Sequence, residues 1–172
     1  MASIFRGRYT AQIEEPFVVF LIGMRVNRLF ALRRWTRVAA AMPPMIAELK
    51  RNPELGLLHA QFFMYWRGVG VVQYWRSFEH LHAYAHARDA QHLPAWADFN
   101  RRVGGDGSVG IWHETYLVAQ GHESIYVNMP LFGLAAASGH MPITGLLDTA
   151  RNRIYKADAP ASVAAKPIGD RH

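Results

Sequence analysis

The chain has 172 residues, 51% of them hydrophobic, and a formal net charge of +6. That length suits one domain with terminal extensions, and that apolar content excludes disorder for most of it. The lack of cysteine excludes disulfides, thiolate metal sites and cysteine nucleophiles together.

The positive charge favours acidic partners such as nucleic acid, anionic lipid or carboxylate and phosphate ligands, or serves as solubilising surface charge. The longest apolar run, Phe17 to Met24, is eight residues, against about 20 for a membrane helix. Met1 to Arg8 has charge but no apolar stretch behind it, which is not a secretory signal. The expectation is a cytoplasmic protein with no membrane and no nucleic-acid partner.

In chain order, residues 1–16 read as an irregular arm ending at Pro16. Phe17 to Arg25 reads as a strand, rich in β-branched and aromatic residues and apolar on both faces. Leu32, Trp35, Val38 and Met42 recur at helical spacing. Pro43-Pro44 predicts a break into pieces at 30–41 and 43–51, because proline cannot donate to the helical ladder. Leu55 to Trp66 and Val69 to Trp75 read as a hairpin with Arg67-Gly68 at its tip, the glycine supplying a positive φ. Ser77 reads as the N-cap of a helix through Phe78, Leu81, Tyr84 and Ala85. Asp89 opens a second piece, with Pro94 in its first turn and Trp96, Phe99 and Val103 as its stripe. Residues 104–107 are a turn, Val109 to Val118 a fourth strand and Glu123 to Asn128 a fifth. Residues 139–172 are a C-terminal extension, flexible over about 157–172.

Over residues 17–138 the order is strand, helix, strand, strand, helix, strand. It predicts an α+β fold of ferredoxin-like βαββαβ topology with its helices on one face. Two helices cover one face only. Yet Phe17, Val19 and Leu21 alternate with Val18, Phe20 and Ile22, and Phe63 and Tyr65 with Phe62, Met64 and Trp66. Such an uncovered face is too large for a normal monomer. Pairing with a second copy, sheet to sheet, gives a homodimer in the form of a dimeric α+β barrel.

Tyr74-Trp-Arg-Ser-Phe-Glu-His-Leu81 followed by His92-Leu-Pro-Ala-Trp96 resembles the second half of the antibiotic-biosynthesis-type monooxygenases, which are dimeric α+β barrels. Gly23-Met-Arg-Val-Asn27, Tyr74-Trp-Arg-Ser77, His92 to Trp96 and Gly110-Ile-Trp-His-Glu-Thr-Tyr116 together resemble the family typified by a fumagillin-pathway monooxygenase, over about residues 8–137. The resemblance implies oxygenation of a small, largely apolar substrate in a barrel cavity, with haem or with no cofactor. The sequence has no flavin or nicotinamide motif. Fold alone does not license an activity, and a dimeric barrel that binds haem or an apolar ligand without turnover fits the same residues.

By that resemblance His92 is the candidate proximal ligand of haem iron, with Trp75 and Arg25 as further cofactor contacts and Arg28, Arg33 and Arg34 available to haem propionates. Asn27 is a candidate donor to bound dioxygen or a substrate carbonyl. The residues by themselves allow plainer roles. His92 can bond a loop carbonyl, Trp75 can fill the core and Asn27 can end a strand. His113 is a candidate general base. Alternation places it on one face of the last strand and Glu114 with Tyr116 on the other. Glu114 joins the catalytic candidates and Tyr116 and Gln73 the substrate pocket, while an internal polar pair is the alternative for the last strand. A two-residue Arg67-Gly68 turn sets Gln73 opposite Phe62, Trp75 opposite Ala60 and His59 on the other face, and one residue of slip reverses the faces. His82 and His86, four apart, lack a third metal ligand.

An RNA-recognition module shares the βαββαβ order, and Arg67 to Tyr74 approximates its third-strand signature. Val69 and Val71 stand where that signature needs stacking aromatics, which disfavours it.

Overall fold

The computed structural model describes residues 3–87 and 106–155. The β-branched and aromatic run at Phe17–Val26 forms a ten-residue strand, β2, at the heart of a four-stranded antiparallel sheet. Its neighbours are β4 (Gly68–Trp75) on one side and β5 (Val109–Val118) on the other, and β3 (Leu57–Tyr65) lies beyond β4. The order β3-β4-β2-β5, with α1 (Leu32–Arg51) after β2 and α2 (Phe78–His86) after β4, is the ferredoxin-like arrangement expected from the element order. Ser77 caps α2, its hydroxyl accepting from the His80 amide at 3.4 Å.

Pairing fixes the two faces of the sheet. Phe20 lies opposite Gln73 and Thr115, and Ile22 opposite Val71 and His113. With Val18 and Trp75, these residues share the face covered by Ile46 and Leu49 of α1 and by Leu81 and Tyr84 of α2. Val19, Leu21, Val72, Tyr74, Glu114 and Tyr116 share the other face.

Four expectations need correction. The helix does not break at Pro43-Pro44, and α1 runs unbroken through both prolines. Val38 and Met42 before the pair and Ile46 and Leu49 after it pack toward the same sheet face, so tertiary contact holds one axis despite two missing N–H donors. The hairpin turn is Trp66-Arg67 rather than Arg67-Gly68. Arg67 takes the positive φ of 63°, held by its own guanidinium bonds to the carbonyls of Val26 and Asn27. Gly68 is needed instead for close approach, since a Cβ there would lie 2.3 Å from the Met24 carbonyl oxygen. Gln73 consequently sits opposite Ala60, and a bulge between Leu57 and His59 brings Trp75 opposite Leu57. This shift spans two residues, so every side chain keeps its face and His59 still points away from Gln73.

The fourth correction concerns the amino-terminal segment. Residues read as an irregular arm contain a strand, β1 (Phe5–Ala11), which forms a second sheet with β6 (Tyr126–Met129) and β7 (His140–Pro142). A short helix, α3 (Leu134–Ser138), joins β6 to β7. Leu134 and Ala135 of α3 and Ala11 of β1 pack on Phe17, Val19 and Tyr74. The chain thus covers one end of its own second sheet face. A last helix, α4 (Ala150–Ile154), is fastened by Arg153, whose Nε donates to the Glu123 carboxylate at 2.8 Å and whose Nη1 donates to the carbonyls of Leu147 and Asp148.

Candidate functional site

Between the helix-covered face of the main sheet and α1 and α2 lies a cavity of about 510 Å³. α1 runs antiparallel to β2, so Arg34 and Arg37 lie toward Met24 and Ile111 at one end, and Leu49 lies toward Trp75 at the other. Phe20 to Met24 spans about 13 Å of strand, and Arg37 to Leu49 about 18 Å of helix. The chamber is therefore long, and it opens to solvent past the exposed Arg34, Arg37 and Phe62.

Its wall is apolar almost throughout. Among the described residues the polar exceptions are Arg34, Arg37, Gln73, Tyr84 and the indole N–H of Trp75. Three of these are already engaged. Trp75 Nε1 donates to Gln73 Oε1 at 2.9 Å. The Tyr84 hydroxyl donates to Glu48 at 2.9 Å, and burial together with that carboxylate raises its pKa well above the ordinary phenol value. Arg34 forms an ion pair with Asp106.

Gln73 is different. An indole N–H can only donate, so the oxygen of the Gln73 amide must face it and the NH₂ must point elsewhere. Gln73 is 4% exposed, and its NH₂ has no protein partner among the described residues. The NH₂ opens onto the cavity, where it is free to donate. On a cavity wall it marks where a ligand oxygen would bind. Arg37, the other uncommitted group, is an exposed cation at the opposite end.

The residues singled out from sequence divide three ways. Gln73 and Trp75 lie on the cavity wall, with Trp75 also buried in the core against Tyr84. His113 shares their face but stands exposed on β5 beside Phe20, outside the wall, which on that strand is formed by Ile111. Glu114 and Tyr116 are on the opposite face, where the Tyr116 hydroxyl donates to Glu114 at 2.6 Å and is made less acidic by it. Asn27 and Arg25 bond each other at 2.5 Å. Asn27 also donates to the Gly107 carbonyl, so this pair ties the end of β2 to the loop before β5 rather than reaching the cavity. His92, with Trp96 and the helix begun at Asp89, lies outside the described residues, as does the tail from 157.

Sequence reasoning missed Arg37, Tyr84 and Ile111. Arg34 and Arg37 flank the α1 stripe at i, i+3, and Ile111 follows Val109 by alternation, so both signals were present. The Tyr84–Glu48 bond joins separate helices and leaves no local trace.

A haem would need propionate partners and an iron ligand on this wall. Arg34 and Arg37 would suit its propionates, but no described wall residue offers an imidazole, a thiolate or a free phenol to the iron. The described wall by itself does not fit the group. Among the described residues no three His, Asp or Glu side chains are grouped to hold a metal ion.

The fold and chamber define a ferredoxin-like α+β protein with a largely apolar cavity between sheet and helices. The family follows from comparison: a model described as Monooxygenase af470-like matches residues 17–134, and the chain belongs to that family. It is 35% identical over 154 residues to Monooxygenase af470 of Aspergillus fumigatus, covering 74% of this chain and 53% of the relative, so it spans about half of that protein's length. Among solved structures it is similar to a conserved protein of unknown function from Bacteroides thetaiotaomicron described as a possible oxidoreductase (TM-score 0.42, 16% identity, 60% of this chain and 99% of that one). It is also similar to a dimeric ferredoxin-like protein from an uncultured marine organism (TM-score 0.31, 15% identity, 61% and 96%).

Proposed function

We propose that this chain is a monooxygenase whose substrate is a small, largely apolar molecule carrying one oxygen acceptor, held in the 510 Å³ cavity with that oxygen on the Gln73 NH₂. The free amide in an apolar chamber is the observation that carries this reading. The donor would favour the enolate or phenolate form of the bound group, in which negative charge has developed on the acceptor oxygen. The apolar wall would limit the access of water to reactive intermediates. In the overall reaction a CH₂ group and dioxygen give a carbonyl and water, the substrate supplying all four electrons. Gln73 cannot act as a base, and the Tyr84 proton is held by burial and Glu48. The substrate must therefore be acidic enough to leave its proton in solvent before it binds, as activated phenols and enols are.

The proposed reaction takes no cofactor, since the substrate itself supplies the electrons. A haem form would draw its ligand from elsewhere, and His92 is the residue the family resemblance offers. Titration of the purified protein with hemin separates the two. No Soret shift supports the cofactor-free form, and a Soret band lost in His92→Ala overturns it.

The protein acts as a homodimer in this reading. Leu21, Val72 and Phe63 lie on the sheet face opposite the helices and beyond the end covered by β1 and α3, and an apolar partner surface is needed there. The decisive experiment is oxygen consumption with a panel of apolar enols and phenols, compared between the native chain and Gln73→Glu. Consumption that is equal in both would overturn the site.

A further inference from the structure

We propose that the end of the molecule bearing Phe30 and Trp66 docks on an anionic lipid surface. Phe30 is 100% exposed and Trp66 86%, with Leu29 and Leu32 each more than half exposed beside Phe30. Phe30 and Trp66 come from separate elements brought to the same end of the sheet. The Val26 amide donates to the Arg67 carbonyl at 2.7 Å, and Arg67 returns bonds to the carbonyls of Val26 and Asn27.

The loop carrying Leu29 and Phe30 is held firmly. The Arg28 amide donates to Ser108, the Ala31 amide to Arg28, and Trp35 Nε1 to the Leu29 carbonyl at 3.1 Å. A fixed loop that leaves a whole phenyl ring in water is unfavourable for the isolated chain.

Charge identifies the partner. Between Glu15 and Glu48 the chain carries Arg25, Arg28, Arg33, Arg34 and Arg37 and not one acidic residue. Asp106, in the loop before β5, is paired to Arg34. Aromatic and aliphatic tips ringed by arginine are what an interface of hydrocarbon and anionic headgroups accepts. A second copy set on this patch by two-fold symmetry would bring the arginines against themselves. Nucleic acid would use stacking rings in a groove, and Leu29 and Leu32 offer none.

The sequence expectation of no membrane partner rested on the lack of a spanning segment. No helix among the described residues is long and apolar enough to cross a membrane. Surface docking requires none. Arg34 and Arg37 lie a turn or two further along α1 and also line the cavity, so an apolar ligand leaving the bilayer would meet the chamber at this end. The docking itself stands apart from the oxygenation reading.

The test is co-sedimentation of the full chain at low salt with phosphatidylcholine vesicles, alone or with about one third phosphatidylserine. Binding is expected to the anionic vesicles and to weaken with salt. Phe30→Ser with Trp66→Ser is expected to lose about tenfold or more in affinity. Arg28→Glu with Arg33→Glu is expected to lose at least about 25-fold, from about fivefold for each arginine removed before the added negative charge is counted. Brominated lipid should quench native fluorescence more than that of Trp66→Phe. These positions are exposed, and thermal melts confirm that each variant folds; where a double variant does not, Phe30→Ser alone is read. Lack of binding to the anionic vesicles overturns the proposal. So does binding undiminished in the Phe30 and Trp66 variants, or an oligomer that falls to monomer in them. Binding of single-stranded poly(U) in place of vesicles, lost in the same variants, also overturns it.

Discussion

Trp112 donates its indole N–H to the Tyr65 hydroxyl at 2.6 Å, and that hydroxyl donates to the Met24 carbonyl at 2.8 Å. The chain of bonds crosses the sheet from β5 to β3 over β2 and β4. It lays the Trp112 ring on Gly23, where an added Cβ would come within 2.8 Å of the indole. Gly23→Ala should cost roughly 1–3 kcal/mol, because the ring cannot lift without giving up its bond. Urea denaturation measures this, and an unchanged midpoint would show that the ring is free to move.

On the same face Leu21 and Val72 pair directly, flanked by Glu114 on β5 and Gln61 on β3. Light scattering should show a homodimer. Leu21→Arg should split it, since a two-fold contact would bury both introduced charges. A monomeric native chain with an unchanged melt would refute the second copy.

Gln73→Glu keeps an acceptor for Trp75 and replaces the free NH₂ with an oxygen. It should lower kcat/KM by about 10- to 100-fold, the loss of one buried hydrogen bond to a charged oxygen. Gln73→Leu should add a stability loss, since it strands the Trp75 indole N–H, whereas Gln73→Glu should preserve that bond. A Gln73→Leu chain as stable as the native one would show that the Trp75 bond contributes little.

Burial holds the His59 imidazole below its ordinary value of 6.5, with Lys50 adding to the effect and Gln61 opposing it. Its Nε2 is buried and has no partner among the described residues. The unfolded chain therefore binds this proton more readily than the fold does. Above pH 6.5 His59 leaves stability unchanged, and as pH falls from 6.5 through the lowered value the fold loses stability. Melting temperatures measured from about pH 8 to about pH 5 should decline in that window, and less so in His59→Gln. Parallel curves would assign the decline to other groups.

Arg153 is buried and bonds Glu123 through both Nε and Nη2. Arg153→Met should cost roughly 2–3 kcal/mol, because the carbonyls of Leu147 and Asp148 also lose a charged donor. Chemical denaturation tests it, and a change within error would mean that α4 is not fastened by this residue.

Much of the scaffold follows from the order of residues alone. β-branched and aromatic runs fixed β2 and β5 nearly to the residue, Ser77 marked the start of α2, and alternation separated His113 from Glu114 and Tyr116. Local chemistry is enough for these, because each depends on neighbours within a few positions. Gln73 was marked for the pocket for the same reason, by sharing parity with Trp75. Three matters belonged to the tertiary structure. α1 passes through Pro43-Pro44 because the sheet beneath it holds both halves. β1 finds its partners β6 and β7 more than a hundred residues away. His113 misses the cavity although its face is right, because α1 and α2 lie over β2 and β4 and the chamber ends at Ile111 on β5. Spacing along a chain sets which side of an element a residue occupies, and only the packing of one element on another decides what that side meets.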